Sequence, residues 1–88
     1  MGQDPVRFVL GSDLRLKILD RLAGEAQTPT AIASFYDKHV SHVSRALREL
    51  RTRRLVSCVT PENHKNRYYT VTQRGAYVLS ELRRFLIA

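Results

Sequence analysis

The 88-residue chain has one cysteine, no tryptophan, three prolines and four glycines. The lone Cys58 has no partner for an internal disulfide, so the fold does not depend on an oxidising compartment. No apolar run approaches the ~20 residues needed to span a bilayer, and nothing resembles the apolar core of a secretory signal. The opening Met-Gly-Gln-Asp-Pro-Val lacks the Ser or Thr of a myristoylation signal. A cytoplasmic protein with no membrane partner is expected. Acidic residues are also scarce, eight against fifteen Lys and Arg. No Ser/His/Asp arrangement, Gly-rich phosphate loop or paired carboxylate set stands out, so neither an enzyme nor a cofactor is expected. A chain this short buries only about 60% of its unfolded surface, which allows one thin core and no separate substrate domain.

What is present is positive charge, unevenly spread. The formal net charge is +7, of which residues 28–55 carry +4 and residues 56–75 carry +2, while residues 1–27 balance to zero. His39, His42 and His64 fall in the same middle stretches. A solubility device would scatter charge; this distribution concentrates it where a polyanion could be met. Nucleic acid is the partner class it implies, with a merely solvated basic face as the alternative.

The pattern predicts helix, helix, helix, β-hairpin, helix, an α+β and mainly α fold. Ser12 and Asp13 suit a helix start, and Leu14, Ile18, Leu19 and Leu22 recur at helical spacing, with Leu16 and Ala23 widening the arc and Gly24 ending it. Thr28-Pro29 opens a second helix through Ile32, Ala33, Phe35 and Tyr36, fading at Asp37-Lys38-His39. A third starts around His39 to Ser41. Val40, Val43, Leu47 and Leu50 line its expected core face, so Ser41, His42, Ser44, Arg45, Arg48 and Thr52 point outward. Residues 55–60 and 67–72 are rich in β-formers and flank a polar turn, making a hairpin with a basic tip. Thr72 then caps a last helix whose apolar residues are Val78, Leu79, Leu82, Phe85, Leu86 and Ile87.

Two short helices with a tight turn, the second exposing Ser, His and Arg, followed by a basic hairpin, match a helix-turn-helix and its wing. Thr28-Pro-Thr-Ala-Ile-Ala33, Val40-Ser-His-Val-Ser-Arg-Ala-Leu47, Arg54-Leu-Val56, and Arg67-Tyr-Tyr-Thr-Val-Thr72 with Gly75 together resemble small prokaryotic, archaeal-type winged helix-turn-helix transcription regulators of the ArsR and MarR groups. The resemblance spans roughly residues 12–82. It implies one winged-helix DNA-binding domain over residues 1–88: a helix-turn-helix at 28–55, a wing at 56–72, and a C-terminal, dimerisation helix at 73–88. Arg54 departs from the pattern, which usually has Gly there to permit a left-handed helix exit.

The implied function is a sequence-specific, double-stranded DNA-binding, nucleoid-associated transcription regulator, acting as a homodimer. A winged-helix protein-interaction module and a non-specific architectural DNA binder are the alternatives. A helix fits the major groove and reads bases with its N-terminal half, where Ser41, His42, Ser44 and Arg45 stand. Arg45 suits bidentate pairing with guanine, and Arg48, one turn on, suits a phosphate. His64, Lys65 and Arg67 on the wing would reach the flanking backbone or minor groove, and Thr28 and Thr30 would lie at the start of the helix-turn-helix. Leu79, Leu82, Phe85 and Leu86 are the expected dimer residues. Tyr68 and Tyr69 alternate on a strand, so one should pack inward. ArsR-type metal sensors carry clustered cysteines or His/carboxylate sets; one Cys with scattered His does not match, so no metal is expected. Cys58 reads as a small buried hydrophobe rather than a redox sensor. A small-molecule effector is not indicated.

Overall fold

The computed structural model describes residues 4–60, 62 and 67–87, with the side chains of residues 86 and 87 left aside. A helix precedes the first expected one, α1 (Pro5–Leu10). The Asp4 side chain accepts the Val6 N–H at 2.9 Å and Pro5 sits in the first turn, the same chemistry as Thr28-Pro29. Six residues are too few to show a period, which is why the apolar pattern passes α1 by. The remaining order is as expected: α2 (Asp13–Gly24), α3 (Pro29–Tyr36), α4 (Val40–Thr52), β1 (Val56–Cys58), β2 (Tyr69–Val71) and α5 (Gln73–Ile87). Ser12 Oγ accepts the Arg15 N–H at 3.3 Å to cap α2. Gly24 is that helix's last residue but makes no left-handed cap; the chain leaves through extended backbone at Glu25.

The hairpin strands pair antiparallel, with Val56 opposite Val71, Ser57 opposite Thr70 and Cys58 opposite Tyr69. Tyr69 turns both backbone groups the other way, to Gln27: its N–H donates to the Gln27 carbonyl at 2.8 Å and its carbonyl accepts the Gln27 N–H at 3.0 Å. β2 is therefore central, and one residue before the α3 cap is stitched to the wing's base. Gln27 is the sole buried polar side chain among the described residues, and its amide donates to Glu25 at 2.9 Å. Buried polar groups need such partners.

The core gathers Ile18, Leu19 and Leu22 from α2, Ile32 from α3, Val43, Leu47 and Leu50 from α4, and Val78, Leu79 and Leu82 from α5. Two expectations change here. Leu79 and Leu82 are 3% and 0% exposed, so they fill the protomer's own core and are not available to a twin. Val40 is 44% exposed, while Ala46 is buried. At about 100° per residue the buried arc of α4 centres roughly 70° from Val40, which leaves that side chain on the rim.

The end of α4 is a tight device. The Leu55 N–H reaches back to the Leu50 carbonyl at 3.0 Å, the Arg54 N–H reaches the Arg51 carbonyl at 2.9 Å, and Arg54 itself is left-handed at φ 63°. That is a Schellman end, with buried Leu55 and Leu50 as its apolar pair. The position usually held by Gly keeps its geometry with Arg. The exposed carbonyls are then taken by Thr72, whose hydroxyl donates to the Arg54 carbonyl at 2.7 Å and whose N–H donates to the Leu55 carbonyl at 3.0 Å. The same hydroxyl accepts the Gly75 N–H at 3.0 Å and so starts α5. Gly75 is buried here, and a Cβ on it would run into the Leu55 carbonyl oxygen and the Val71 side chain.

Two opposite effects follow from this junction. Gly75→Ala should lower unfolding free energy by about 3 kcal/mol, since the clash is with backbone that cannot rotate away. Arg54→Gly should raise it by about 1 kcal/mol, because a left-handed L-residue carries a steric penalty that glycine lacks. Urea unfolding of both variants checks the pair; wild-type stability in Gly75→Ala would mean that the approach is not tight.

Candidate nucleic-acid interface

The turn between α3 and α4 is made by Asp37 at φ 54°. Asp tolerates this region better than most residues because its side chain is short and polar. The Lys38 N–H bonds the Ala33 carbonyl at 2.9 Å, closing α3, and the His39 carbonyl accepts the N–H groups of His42 (3.1 Å) and Val43 (3.2 Å), opening α4. No side chain caps α4 at His39.

Burial sorts α4 into two faces. Val43, Ala46, Leu47 and Leu50 are buried; Ser41, His42, Arg45, Arg48, Arg51 and Thr52 are exposed, and Ser44 is half-buried. Thr52 Oγ1 donates to the Arg48 carbonyl at 2.9 Å, one turn back along the helix. The ion pairs of the described residues lie elsewhere: Arg15 with Glu49 at 3.1 Å, Lys17 with Asp13 at 2.9 Å, Arg83 with Asp20 at 2.7 Å and Arg84 with Glu81 at 3.5 Å. Arg45 and Arg48 have no carboxylate within ion-pair distance among them. Glu49, the one acid on α4, is turned onto Arg15, whose guanidinium also donates to the Phe8 carbonyl at 2.8 Å and stacks 3.9 Å from the Phe8 ring centroid. Arg53 approaches the same ring at 4.1 Å. Negative charge is thus drawn to the back of the helix, leaving the outer face positive.

Alongside α4 runs an open groove of about 680 Å³, lined by Thr28, Pro29, Thr30, Ala31, Ser34, Val40, Ser44, Arg67, Tyr68 and Tyr69. It brings together four of the expected residues, Thr28, Thr30, Ser44 and Arg67, from α3, α4 and the wing. The Thr28 hydroxyl accepts the Ala31 N–H at 3.1 Å, so it caps α3. Arg67 is half-buried; His64 and Lys65 lie outside the described residues. Tyr68 is 43% exposed and Tyr69 packs on the core, the alternation expected of a strand. Periodicity misses Val40, Ala31, Ser34 and Tyr68 as groove residues. Ala46 is the signal that finds Val40, since including it in the apolar arc moves the arc's centre away from the first residue of α4.

On α5, Phe85 is 75% and Tyr77 65% exposed, whereas the Leu86 side chain is outside the described set. An apolar groove of about 340 Å³ lies on another side, lined by Leu16, Lys17, Asp20, Tyr36, Leu79, Leu82 and Arg83. The Tyr36 hydroxyl donates to the Lys17 carbonyl at 2.9 Å, and burial, helped by the Asp20 charge, pushes the phenol above its ordinary pKa. Among the described residues no three His, Cys, Asp or Glu side chains cluster; the His39 and His42 rings stand 5.8 Å apart without a further ligand. Cys58 is half-buried. Of the described helices none is long and apolar enough to cross a membrane.

The sequence profile of a family described as HVO_A0261 N-terminal domain matches residues 3–88. No curated protein matches the chain. Among solved structures, the MarR family transcription regulator SP03579 superposes with a TM-score of 0.79 at 22% identity, over 92% of this chain and 57% of that one. The transcriptional regulator BldR from Sulfolobus solfataricus gives 0.76 at 24% identity, over 85% and 55%. The homodimeric winged helix-turn-helix DNA-binding domain Mb0332 from Mycobacterium bovis gives 0.77 at 24%, over 92% and 74%. The chain spans little more than half the length of SP03579 and BldR, and about half that of Lactococcus lactis ZitR. At these identities the likeness is one of fold: the chain is a winged helix-turn-helix.

The capping role of Thr28 separates cleanly from any contact its hydroxyl could make. Thr28→Ala should lower stability by about 1 kcal/mol and Thr28→Ser should leave it nearly unchanged. Thermal unfolding of the two variants reads the difference; equal losses would show that the hydroxyl does not cap α3.

Proposed function

The chain belongs to the HVO_A0261 N-terminal domain family, and from that premise we propose that it is a sequence-specific, double-stranded DNA-binding transcription regulator acting as a homodimer. The observation that carries this reading is the outer face of α4. Ser41, His42, Arg45 and Arg48 are exposed together opposite a buried apolar face, and neither arginine is neutralised by a carboxylate of the described residues. An α-helix fits the major groove, whose base edges offer a distinct donor and acceptor pattern for each pair. Arg45 is assigned to a guanine edge, with Ser41, His42 and Ser44 beside it. Arg48 is assigned to a phosphate, as are Thr30 and the backbone about Thr28 at the start of α3. His64, Lys65 and Arg67 of the wing take the flanking backbone or minor groove. No covalent chemistry is involved in this reading.

Dimerisation is assigned to the outer face of α5, through Tyr77 and Phe85, with Leu79 and Leu82 holding that helix to its own protomer from the other side. A two-fold pair would set its recognition helices on half-sites one helical turn apart, or a multiple of it. That the winged helix-turn-helix domain from Mycobacterium bovis, similar in fold, is homodimeric supports pairing as such.

Selection from a randomised duplex pool, followed by salt titration, tests the reading. Steep salt dependence with an enriched two-fold motif is the expected result. A single unrepeated half-site would remove the dimer, steep salt dependence without a motif would leave an architectural binder, and no binding at low salt would overturn DNA binding altogether. On the selected site Arg45→Ala should cost about 1–3 kcal/mol and relax one base preference. Arg48→Ala should weaken all duplexes alike and reduce the salt slope by about one. Equal losses on selected and random DNA for Arg45→Ala would take it off the base edge.

A further inference from the structure

We propose that Val40 reads the 5-methyl group of a thymine, so that each half-site contains a thymine recognised by its methyl and not by hydrogen bonds. The proposal rests on the DNA-binding reading above and adds an apolar specificity determinant to it. Val40 is the first residue of α4 and is 44% exposed, on a helix whose other exposed residues are polar or charged. A β-branched residue there does nothing for the helix: it caps no N–H and has low helix propensity. Nor does it serve the core, since Val43, Ala46, Leu47 and Leu50 fill that face without it. It lines the groove with Ala31, Ser34 and Ser44, on the side of α4 that faces the start of α3 and the wing.

The chemistry of the surroundings selects the occupant. Arg45 and Arg48 project from the same helix with no carboxylate at ion-pair distance among the described residues, so a partner that covers the whole exposed face of α4 brings anionic charge to the two arginines and an apolar contact to Val40. On the base edges of the major groove, duplex DNA does this with one group. The thymine 5-methyl is the apolar point on the base edges of the major groove, ringed by phosphates, and helix residues of the N-terminal half are those that approach base edges. A methyl-sized contact is also what one valine at a helix start can supply.

The test uses the duplex selected above, with each thymine replaced singly by deoxyuridine, which removes the methyl and leaves base pairing intact. Burial of one methyl-sized group, ~0.8 kcal/mol, converts to about four-fold in affinity. Wild-type protein should lose about that factor at one thymine of each half-site. Val40→Ala, a change at an exposed position, should narrow the ratio between the thymine and deoxyuridine versions of that position, since alanine keeps only the smaller part of the apolar contact. A Val40→Ala protein that keeps the four-fold ratio at every sensitive position would overturn the proposal, as would a wild type insensitive to all replacements. Failure of the parent reading looks different: the pool yields no motif, or no duplex is bound at any salt concentration.

Discussion

The second helix of the helix-turn-helix, the wing and the last helix all hang on two successive carbonyls, those of Arg54 and Leu55. The left-handed step at Arg54 ends α4 and turns the chain directly into β1. Thr72, arriving at the far end of the wing, donates to both carbonyls and with the same hydroxyl starts α5. Gly75 lets the first turn of α5 press against the Leu55 carbonyl. A short hairpin has little stability of its own. Closing its two ends on one site, and bridging one strand to Gln27 ahead of α3, anchors its base beside α4. The groove between α3, α4 and the wing is thus tied at its base, β2 to Gln27 ahead of α3 and Thr72 to the end of α4.

Electrostatics is arranged around the same helix from behind. The four ion pairs of the described residues are surface or half-buried pairs, each worth about 0–1 kcal/mol, so their sum says little about stability. Their placement says more. Glu49 would otherwise lower the positive potential of α4, and Arg15 holds it at the back, where the Phe8 ring is approached by the Arg15 and Arg53 guanidinium groups. The short α1 thereby contributes to the charge of a helix it does not adjoin in sequence, because Phe8 fixes the guanidinium that fixes the carboxylate. Asp13, Asp20 and Glu81 are likewise matched by Lys17, Arg83 and Arg84 on α2 and α5.

Local chemistry made much of this legible. The caps at Ser12 and Thr28, the outward face of α4 and the inward turn of one of the two wing tyrosines all follow from residue type and period. What the pattern misses is set by neighbours and by length. α1 is too short for periodicity, although Asp4-Pro5 carries the same start signal as Thr28-Pro29. Leu79 and Leu82 have the apolar character of an interface, yet nothing along α5 distinguishes a helix packed on its own core from one packed on a twin; only the tertiary arrangement buries them. Val40 is apolar and three residues before Val43, which assigns it to the core until the width and centre of the buried arc are known. Arg54 shows the converse: a residue type ill-suited to a left-handed exit adopts it because the bonds from Leu55 and Thr72 over-determine the turn.

The composition of the groove bears on how affinity and selectivity would divide. Cations meeting phosphates act through charge, and each released counterion contributes whatever the sequence beneath, so Arg48 and the wing would add affinity without information. Information has to come from groups that meet base edges at fixed positions. On α4 those would be few, because the helix gives its inner half to the core. Arg45 offers a donor fork, Ser41 and Ser44 offer hydroxyls that both donate and accept, and Val40 offers only shape and apolarity. A hydroxyl that can donate or accept discriminates weakly, so the sharpest distinctions would fall to Arg45 and Val40, one answering a guanine and the other a methyl. The exposed valine, a poor choice for folding at that position, would then owe its presence to the proposed base recognition.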